Sequence, residues 1–257
     1  LSCMICVIQK LVQIVYSVYA LGVLVIAFFM AVVFGRIYLF FQKQNIILAF
    51  QRIIRVCIKW GFFVTGVRYE GKWDPIVDES SNYVVVSNHR SILDISLYYL
   101  FLPFSVSFFA KKELFRVPLL RFLLIHQGHF SIDRSNRRRS FEGLTDVVEK
   151  LRSGRSCLLF PEGTRSTGGD MLPFKRGAFQ LAVQSDIPVL PCYLYGTDRV
   201  LRKGSFLCRP GKIGLKIGRP IVLGDAERQL SERQQQEWLM DQARQSMAQM
   251  QVDVQGA

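Results

Sequence analysis

The chain has 257 residues, enough for a catalytic domain of about 200 residues and one small appendage. Half the residues are apolar and 21% charged, with a mean hydropathy of +0.21, which excludes an intrinsically disordered chain and is too apolar for an ordinary soluble enzyme. The net charge of +13, from 33 Lys and Arg against 20 Asp and Glu, favours polyanionic partners: nucleic acid, anionic lipid headgroups or phosphorylated substrates.

Leu11 to Phe34 is a run of 24 residues without a charge. At about 1.5 Å per residue, a helix of that length crosses a hydrocarbon layer about 30 Å thick. A secretory signal has an apolar core of only about 7–15 residues before a small-residue cleavage site. Here the run is longer and continues into Gly35-Arg36-Ile37-Tyr38, so it is read as retained. From Ile46 to Phe63, the residues Ile46, Ile47, Phe50, Ile53, Ile54, Cys57 and Ile58 recur at helical spacing, with Gln51, Arg52, Arg55 and Lys59 opposite. This basic amphipathic helix, ending in Trp60, Phe62 and Phe63, suits an anionic membrane surface; the alternative is a helix docked on its own domain. No acid precedes Glu70, and most of the cations Lys10, Arg36, Lys43, Arg52, Arg55, Lys59 and Arg68 follow the apolar run. The positive-inside rule then turns the bulk of the chain toward the cytoplasm. Hydropathy is equally consistent with a spanning first segment and with a re-entrant hairpin made with the second.

Acids and turn formers first appear near Glu70-Gly71-Lys72-Trp73-Asp74-Pro75, so residues 1–69 are read as a helical membrane anchor and 70–257 as the catalytic domain. Short apolar runs at Tyr83–Val86, Val106–Phe109, His129–Ile132, Cys157–Phe160 and Val189–Tyr193 read as strands, most of them followed by helical stretches, with a later strand at Ile213–Ile217. The fold class is therefore α/β, a mostly parallel sheet flanked by helices, with an N-terminal helical membrane anchor. The clearest helix runs from Asn136 to Leu151, capped by Ser135 or Asn136, and a Gln-rich amphipathic helix from Glu232 to Met250 ends the chain. Six cysteines among mostly apolar neighbours read as small buried hydrophobes. The C-x-x-C at Cys3 and Cys6 lacks a second ligand pair, and the H-x-x-H at His126 and His129 lacks a third ligand, so no metal site is expected.

The chemistry concentrates at strand ends. Asn88-His89-Arg90-Ser91-Ile92-Leu93-Asp94 places a histidine five positions before an aspartate, where a strand gives way to a helix. A His in that turn can receive the Asp carboxylate from the helix's first turns. The carboxylate fixes the tautomer at Nδ1, leaves Nε2 free as a base and stabilises the imidazolium. No G-x-S-x-G elbow occurs, so the nucleophile is expected to be a substrate hydroxyl attacking an activated acyl group. Phe160-Pro161-Glu162-Gly163-Thr164-Arg165-Ser166 follows another strand and combines a carboxylate, a permissive glycine, a hydroxyl and a guanidinium that matches phosphate. Further cations end the strands before Arg134 and Lys111-Lys112. Ligands of open α/β sheets bind outside the carboxyl ends of the strands, where His89, Lys111, Arg134 and Arg165 would all sit. Read alone, His89 with Asp94 is equally a helix cap, Arg134 to Arg139 a basic patch, and Lys111 with Lys112 ordinary surface charge.

The blocks Asn88-His89 through Asp94, Gly128 to Arg134, Phe160 to Ser166 and Ile187-Pro188-Val189-Leu190-Pro191 resemble the four ordered blocks of the glycerolipid acyltransferase family, most of all its bacterial 1-acyl-sn-glycerol-3-phosphate acyltransferases. The likeness runs from about Tyr83 to Thr197. It implies transfer of a fatty acyl group from acyl-CoA or acyl carrier protein to the sn-2 hydroxyl of lysophosphatidate, giving phosphatidate at the cytoplasmic (inner) membrane. It also implies membrane lipids as partners, no cofactor and no covalent acyl-enzyme. His89 would be the general base and Asp94 its orienter. Lys111, Arg134, Glu162, Gly163, Thr164 and Arg165 would bind the phosphorylated acceptor. The family usually carries an apolar residue where His129 or Ser131 stands, a departure that bears on acceptor choice. Glycerol-3-phosphate and lyso-ornithine lipid are alternative acceptors. A membrane-tethered nucleic-acid-binding protein is the remote alternative, for which no reader motif is present and whose charge lipid explains.

Overall fold

The computed structural model describes residues 2–41, 46–132, 137–167 and 170–256. The elements in chain order are α1 (Ser2–Phe41), α2 (Ile46–Val64), β1 (Arg68–Trp73), β2 (Val84–Ser87), α3 (Asp94–Phe101), β3 (Val106–Lys111), α4 (Pro118–His126), β4 (Phe130–Ile132), α5 (Arg137–Arg152), β5 (Ser156–Leu159), α6 (Gly177–Ser185), β6 (Val189–Tyr195), α7 (Thr197–Val200), β7 (Lys212–Ile217), α8 (Asp225–Arg228) and α9 (Glu232–Gln255). The strands form one sheet in the order β1-β7-β6-β2-β5-β3-β4. Only β6 with β7 is antiparallel, so the sheet is mostly parallel.

Parallel strands covered on both faces are apolar throughout, because neither face meets water. Val84, Val85 and Val86 are fully buried, and the pleat alternates them between two cores. Val85 joins Leu97, Tyr98, Leu190 and Leu194 on the face covered by α1, α2 and α3. Val84 and Val86 join Val147, Leu151, Phe179 and Leu239 on the face covered by α5, α6 and α9. On α9, Leu239, Ala243, Met247 and Met250 are buried, so its apolar stripe is spent on the protein's own sheet and α6.

Two sequence expectations change. The stretch around Glu70 to Trp73, read as a boundary, is the edge strand β1, paired in parallel with β7 from Arg68 opposite Lys212 to Trp73 opposite Ile217. Its alternation is genuine, with Tyr69 and Trp73 packed on the core. Gly71 and two charged residues hide it, and a Cβ at Gly71 would lie 2.2 Å from the Phe101 ring. The second change concerns α2, whose basic face is divided. Gln51 is buried, and Arg55 turns inward to donate to the carbonyls of Tyr99 and Leu102 at the C-terminal end of α3. The outward stripe is Leu48, Arg52, Val56, Lys59 and Phe63, which mixes apolar groups with cations.

Helix α1 runs beyond the charge-free segment at both ends. It is, among the described residues, the one helix long and apolar enough to cross a membrane, with 33% of its most apolar window buried. It associates with the domain through Ala20, Tyr16 and Leu24, which join the first core. The hydroxyls of Tyr16 and Tyr19 donate to the carbonyls of Thr65 and Val64 at 2.6 and 3.0 Å. Farther along, the Phe50 ring of α2 fills the space a side chain at Gly35 would need.

Candidate active site

Strand β2 ends at Ser87, in the middle of the sheet between β5 and β6. The side chain of Asn88 continues the ladder where the main chain turns away. Its amide donates to the Leu194 carbonyl at 2.9 Å and its oxygen accepts the Leu194 N–H at 2.7 Å. The chain then turns so that Asp94, the first residue of α3, faces back across the turn. Asp94 Oδ2 lies 2.7 Å from His89 Nδ1 and accepts the N–H groups of Arg90 at 2.7 Å and Ser91 at 2.9 Å. Ser91 Oγ donates to the Leu201 carbonyl at 2.7 Å, which fastens the turn to the chain after β6. Asp94 is fully buried, with these donors gathered on Oδ2, while Oδ1 has no hydrogen-bond partner among the described residues. With the carboxylate at Nδ1, the neutral imidazole keeps its proton there and offers Nε2 as an acceptor. The imidazole stacks on Phe160, with ring centroids 3.9 Å apart and 12° between planes, while 20% of the side chain stays accessible.

Because β2 and β5 are neighbours, the loops that follow them clasp one another. Glu162 Oε1 accepts the His89 N–H at 3.0 Å, Oε2 accepts the Leu172 N–H at 3.0 Å, and the Ser166 N–H donates to the His89 carbonyl at 2.8 Å. Each Glu162 oxygen thus accepts one main-chain N–H, and the residue is buried. Desolvation raises the pKa of Glu162 above its ordinary 4.5, against the lowering by its two backbone donors and the nearby Arg90 and His89.

Gly163 has φ of +72°, a conformation that a Cβ strains, and a Cβ there would come within 2.6 Å of Lys175 Nζ. The ammonium of Lys203 donates to Thr164 Oγ1 at 3.0 Å and to the Arg165 carbonyl at 2.7 Å. Thr164 is exposed and Arg165 half-buried, on the same loop as Glu162. His89, Asp94 and the Glu162–Arg165 loop thus come together at the carboxyl ends of β2 and β5. Lys111 closes β3 on the same sheet edge, but its side chain is outside what the structure describes. Arg134, with Ser135 and Asn136, lies outside the described residues, as do the side chains of Arg137, Arg138 and Arg139.

Local sequence gave no sign of several contributors. Phe160 opens the Phe160–Ser166 block with no role of its own assigned there, yet its ring supports the imidazole. Lys175 follows Arg165 by ten residues, and Lys203 reaches the Thr164 hydroxyl from 39 residues away. Only the pairing of β6 beside β2 brings the latter near. Arg90, next to His89, is buried with its guanidinium 3.6 Å from Asp198 and bonded to the Tyr193 hydroxyl at 3.3 Å.

The H-x-x-H pair is divided between two structural duties. His126 Nδ1 meets the Phe122 carbonyl at 2.8 Å. His129 accepts the Phe108 N–H at Nδ1, 3.2 Å, and meets the Tyr99 hydroxyl at Nε2, 3.0 Å. Desolvation pulls the His129 pKa down to about 3, so the ring stays neutral in these contacts. Cys57, Cys157, Cys192 and Cys208 are buried free thiols, and Cys6 is exposed on α1.

Residues 68–195 match the model of a family described as Acyltransferase. A 1-acyl-sn-glycerol-3-phosphate acyltransferase from Cocos nucifera is 36% identical over 160 residues, covering 60% of this chain and 52% of that protein. A protein of the same name from Borreliella burgdorferi is 31% identical over 153 residues, covering 59% and 60%. The chain spans about half the length of the first of these curated relatives. In three dimensions it superposes on the crystal structure of the 1-acyl-sn-glycerophosphate (LPA) acyltransferase PlsC from Thermotoga maritima, with a TM-score of 0.75 and 25% identity, covering 94% of this chain and 97% of that one.

Proposed function

The chain belongs to the acyltransferase family, and from that premise we propose that it is a 1-acylglycerol-3-phosphate O-acyltransferase. It moves a fatty acyl group from acyl-CoA or acyl carrier protein to the sn-2 hydroxyl of lysophosphatidate and releases phosphatidate and a thiol. The observation that carries the reading is the 2.7 Å contact of His89 Nδ1 with a buried carboxylate, on a loop clasped by Glu162, with no serine elbow in the chain.

His89 Nε2 takes the proton of the acceptor hydroxyl as the oxygen attacks the thioester carbonyl. The tetrahedral intermediate expels the thiolate, and the imidazolium returns the proton to the departing sulfur. Asp94 holds the Nδ1 proton and stabilises the transient imidazolium. No cofactor is invoked, because the thioester arrives activated. Arg165 takes the acceptor's phosphate, with Gly163 and Thr164 shaping the loop and Lys111 and Arg134 supplying further charge from neighbouring strand ends. Glu162 is assigned as a positioning residue, acting through the His89 main chain. The helices α1 and α2 serve as anchor and the chain from β1 at Arg68 onward as catalytic domain, at the cytoplasmic face of the inner membrane, where the cations after the apolar run favour that orientation.

The test is acyl transfer by detergent-purified protein, with lysophosphatidate and radiolabelled acyl-CoA or acyl carrier protein, beside His89→Ala. Phosphatidate formed by the wild type and lost in the variant supports the assignment. Preference for glycerol-3-phosphate or a phosphate-free lysolipid would overturn the acceptor. Undiminished turnover by the variant would overturn the base.

A further inference from the structure

Two of the most exposed large apolar side chains lie far apart in sequence but sit on segments whose main chain bonds the same part of α1. Phe206 is 81% exposed, with Leu207 beside it at 44%, and Phe63 at the end of α2 is 85% exposed. The loop that carries Phe206 is built rather than slack. Leu201 and Cys208 form an antiparallel bridge, the Arg209 N–H donates to the Val200 carbonyl at 2.9 Å, Gly204 turns the chain at φ +75°, and the Leu207 N–H donates to Ser205 Oγ at 3.0 Å. Its base is fastened to α1, where Ser17 Oγ accepts the Cys208 N–H at 2.8 Å. Tyr16 and Tyr19, on either side of Ser17, bond the carbonyls next to Phe63. N-terminal to this girdle, Val7, Ile8, Leu11, Val12, Ile14 and Val15 are all exposed.

Charge follows the same outline. From Arg199 to Gly224 the sequence contains no acid and seven Lys or Arg residues. Arg202 and Arg209 flank the apolar tip and are exposed, and exposed Arg68 joins the loop's end through its N–H to the Gly211 carbonyl at 2.9 Å. A single exposed phenylalanine is ordinary. An apolar tip held by a bonded turn, rimmed by cations and tied to α1 beside its exposed apolar N-terminal stretch fits the boundary between acyl chains and anionic headgroups.

We propose that the Arg202–Arg209 loop is a second membrane contact, which inserts Phe206 and Leu207 into an anionic leaflet beside α1 while Arg202 and Arg209 meet the headgroups. The proposal rests on reading α1 as the membrane anchor. It has a consequence for the site, because Lys203 of the same loop bonds Thr164 and the Arg165 carbonyl. Seating the loop in the leaflet therefore sets the height at which the Arg165 loop meets an acceptor lying in that leaflet.

The test is photocrosslinking of the full chain in vesicles of phosphatidylethanolamine and phosphatidylglycerol, with p-benzoylphenylalanine replacing Phe206, Val12 or Glu232. Glu232 begins α9, on the other face of the sheet. Lipid adducts detected by mass spectrometry at 206 and 12 but not at 232 support the proposal. Adducts at 12 alone overturn the loop's insertion and leave the anchor standing, and adducts at neither position overturn both. In parallel, the double variant Phe206→Ser, Leu207→Ser should lose about tenfold of its vesicle-to-micelle ratio of lysophosphatidate turnover. A ratio equal to the wild type's would overturn the coupling to the site.

Discussion

Around His89 the protein supplies its own restraints: the Asp94 carboxylate gathers the ring and two main-chain N–H groups, and Glu162 holds the His89 N–H from the next loop. Around Arg165 the restraints come from outside the motif, through Lys203 at the Thr164 hydroxyl and the Arg165 carbonyl and Lys175 beside Gly163. One side is a network of buried polar groups centred on Asp94 Oδ2, and the other is a half-open rim of cations. The contrast divides labour. On the proposed function, the proton-transferring group would be pre-oriented before substrate arrives, while the rim would gain its counter-charge from the ligand.

The largest effect should come from the His89 side. His89→Ala removes the proposed base and should lower kcat by on the order of 10²- to 10⁴-fold with little change in thermal midpoint, as read by the radiolabelled transfer assay. Asp94→Asn is the subtler cut. An amide oxygen at the Oδ2 position still accepts from Arg90 and Ser91, so the turn survives, but the charge facing the imidazolium is gone. Activity should fall by about 10²-fold or more in a chain that still melts cooperatively.

Arg165→Ala tests the open side. Losing hydrogen bonds to a charged phosphate costs about 1.5–3 kcal/mol, so kcat/KM for lysophosphatidate should fall roughly 10- to 100-fold. The loss should lie mainly in KM and weaken as salt rises. A fall confined to kcat would move Arg165 to the reacting centre and blur the division.

The same division explains what was legible in the sequence. The His89–Asp94 contact was legible because its chemistry is local, with both residues on one turn between a strand and the helix that follows. The strands read well wherever both faces are buried, as at Val84–Val86, because an uninterrupted apolar run has few other uses in a parallel sheet. Strand β1 escaped notice because an edge strand carries polar residues and, here, a glycine under the Phe101 ring. Glu162 was visible as a functional residue, but the sequence does not show that its two oxygens face two backbone N–H groups. Lys203 carried no signal, because its partners lie 38 and 39 residues away across a strand order that only the folded sheet reveals.

Glu162 joins the two sides, and its titration gives a test of its own. Burial raises its pKa, so the folded chain holds that proton more tightly than the unfolded chain. Its contribution to stability is then fully present below the ordinary carboxylate value of 4.5 and is lost as pH rises through the raised folded value. Glu162→Gln removes that titration. The difference in melting temperature between wild type and variant, followed upward from pH 4.5, should therefore shift in the variant's favour as pH rises. A glutamine keeps only one of the two N–H acceptors, so activity should drop by about tenfold. A difference that stays flat across pH would mean that the carboxyl is not desolvated as its position implies.

The smallest effect tests the rim's scaffold. Lys203→Met keeps the length of the stem and removes both donations to the Thr164–Arg165 loop. The loop remains fastened by the Ser166 N–H to the His89 carbonyl and by the Lys175 N–H to the Pro161 carbonyl. Two exposed or half-exposed hydrogen bonds contribute little in water, so turnover should fall by only about three- to tenfold, as a rise in KM with kcat nearly intact. A loss as large as that of Arg165→Ala would make Lys203 a direct ligand of the acceptor rather than a brace for the loop. A loss in kcat with KM intact would show that the rim and the His89 network are one mechanical unit.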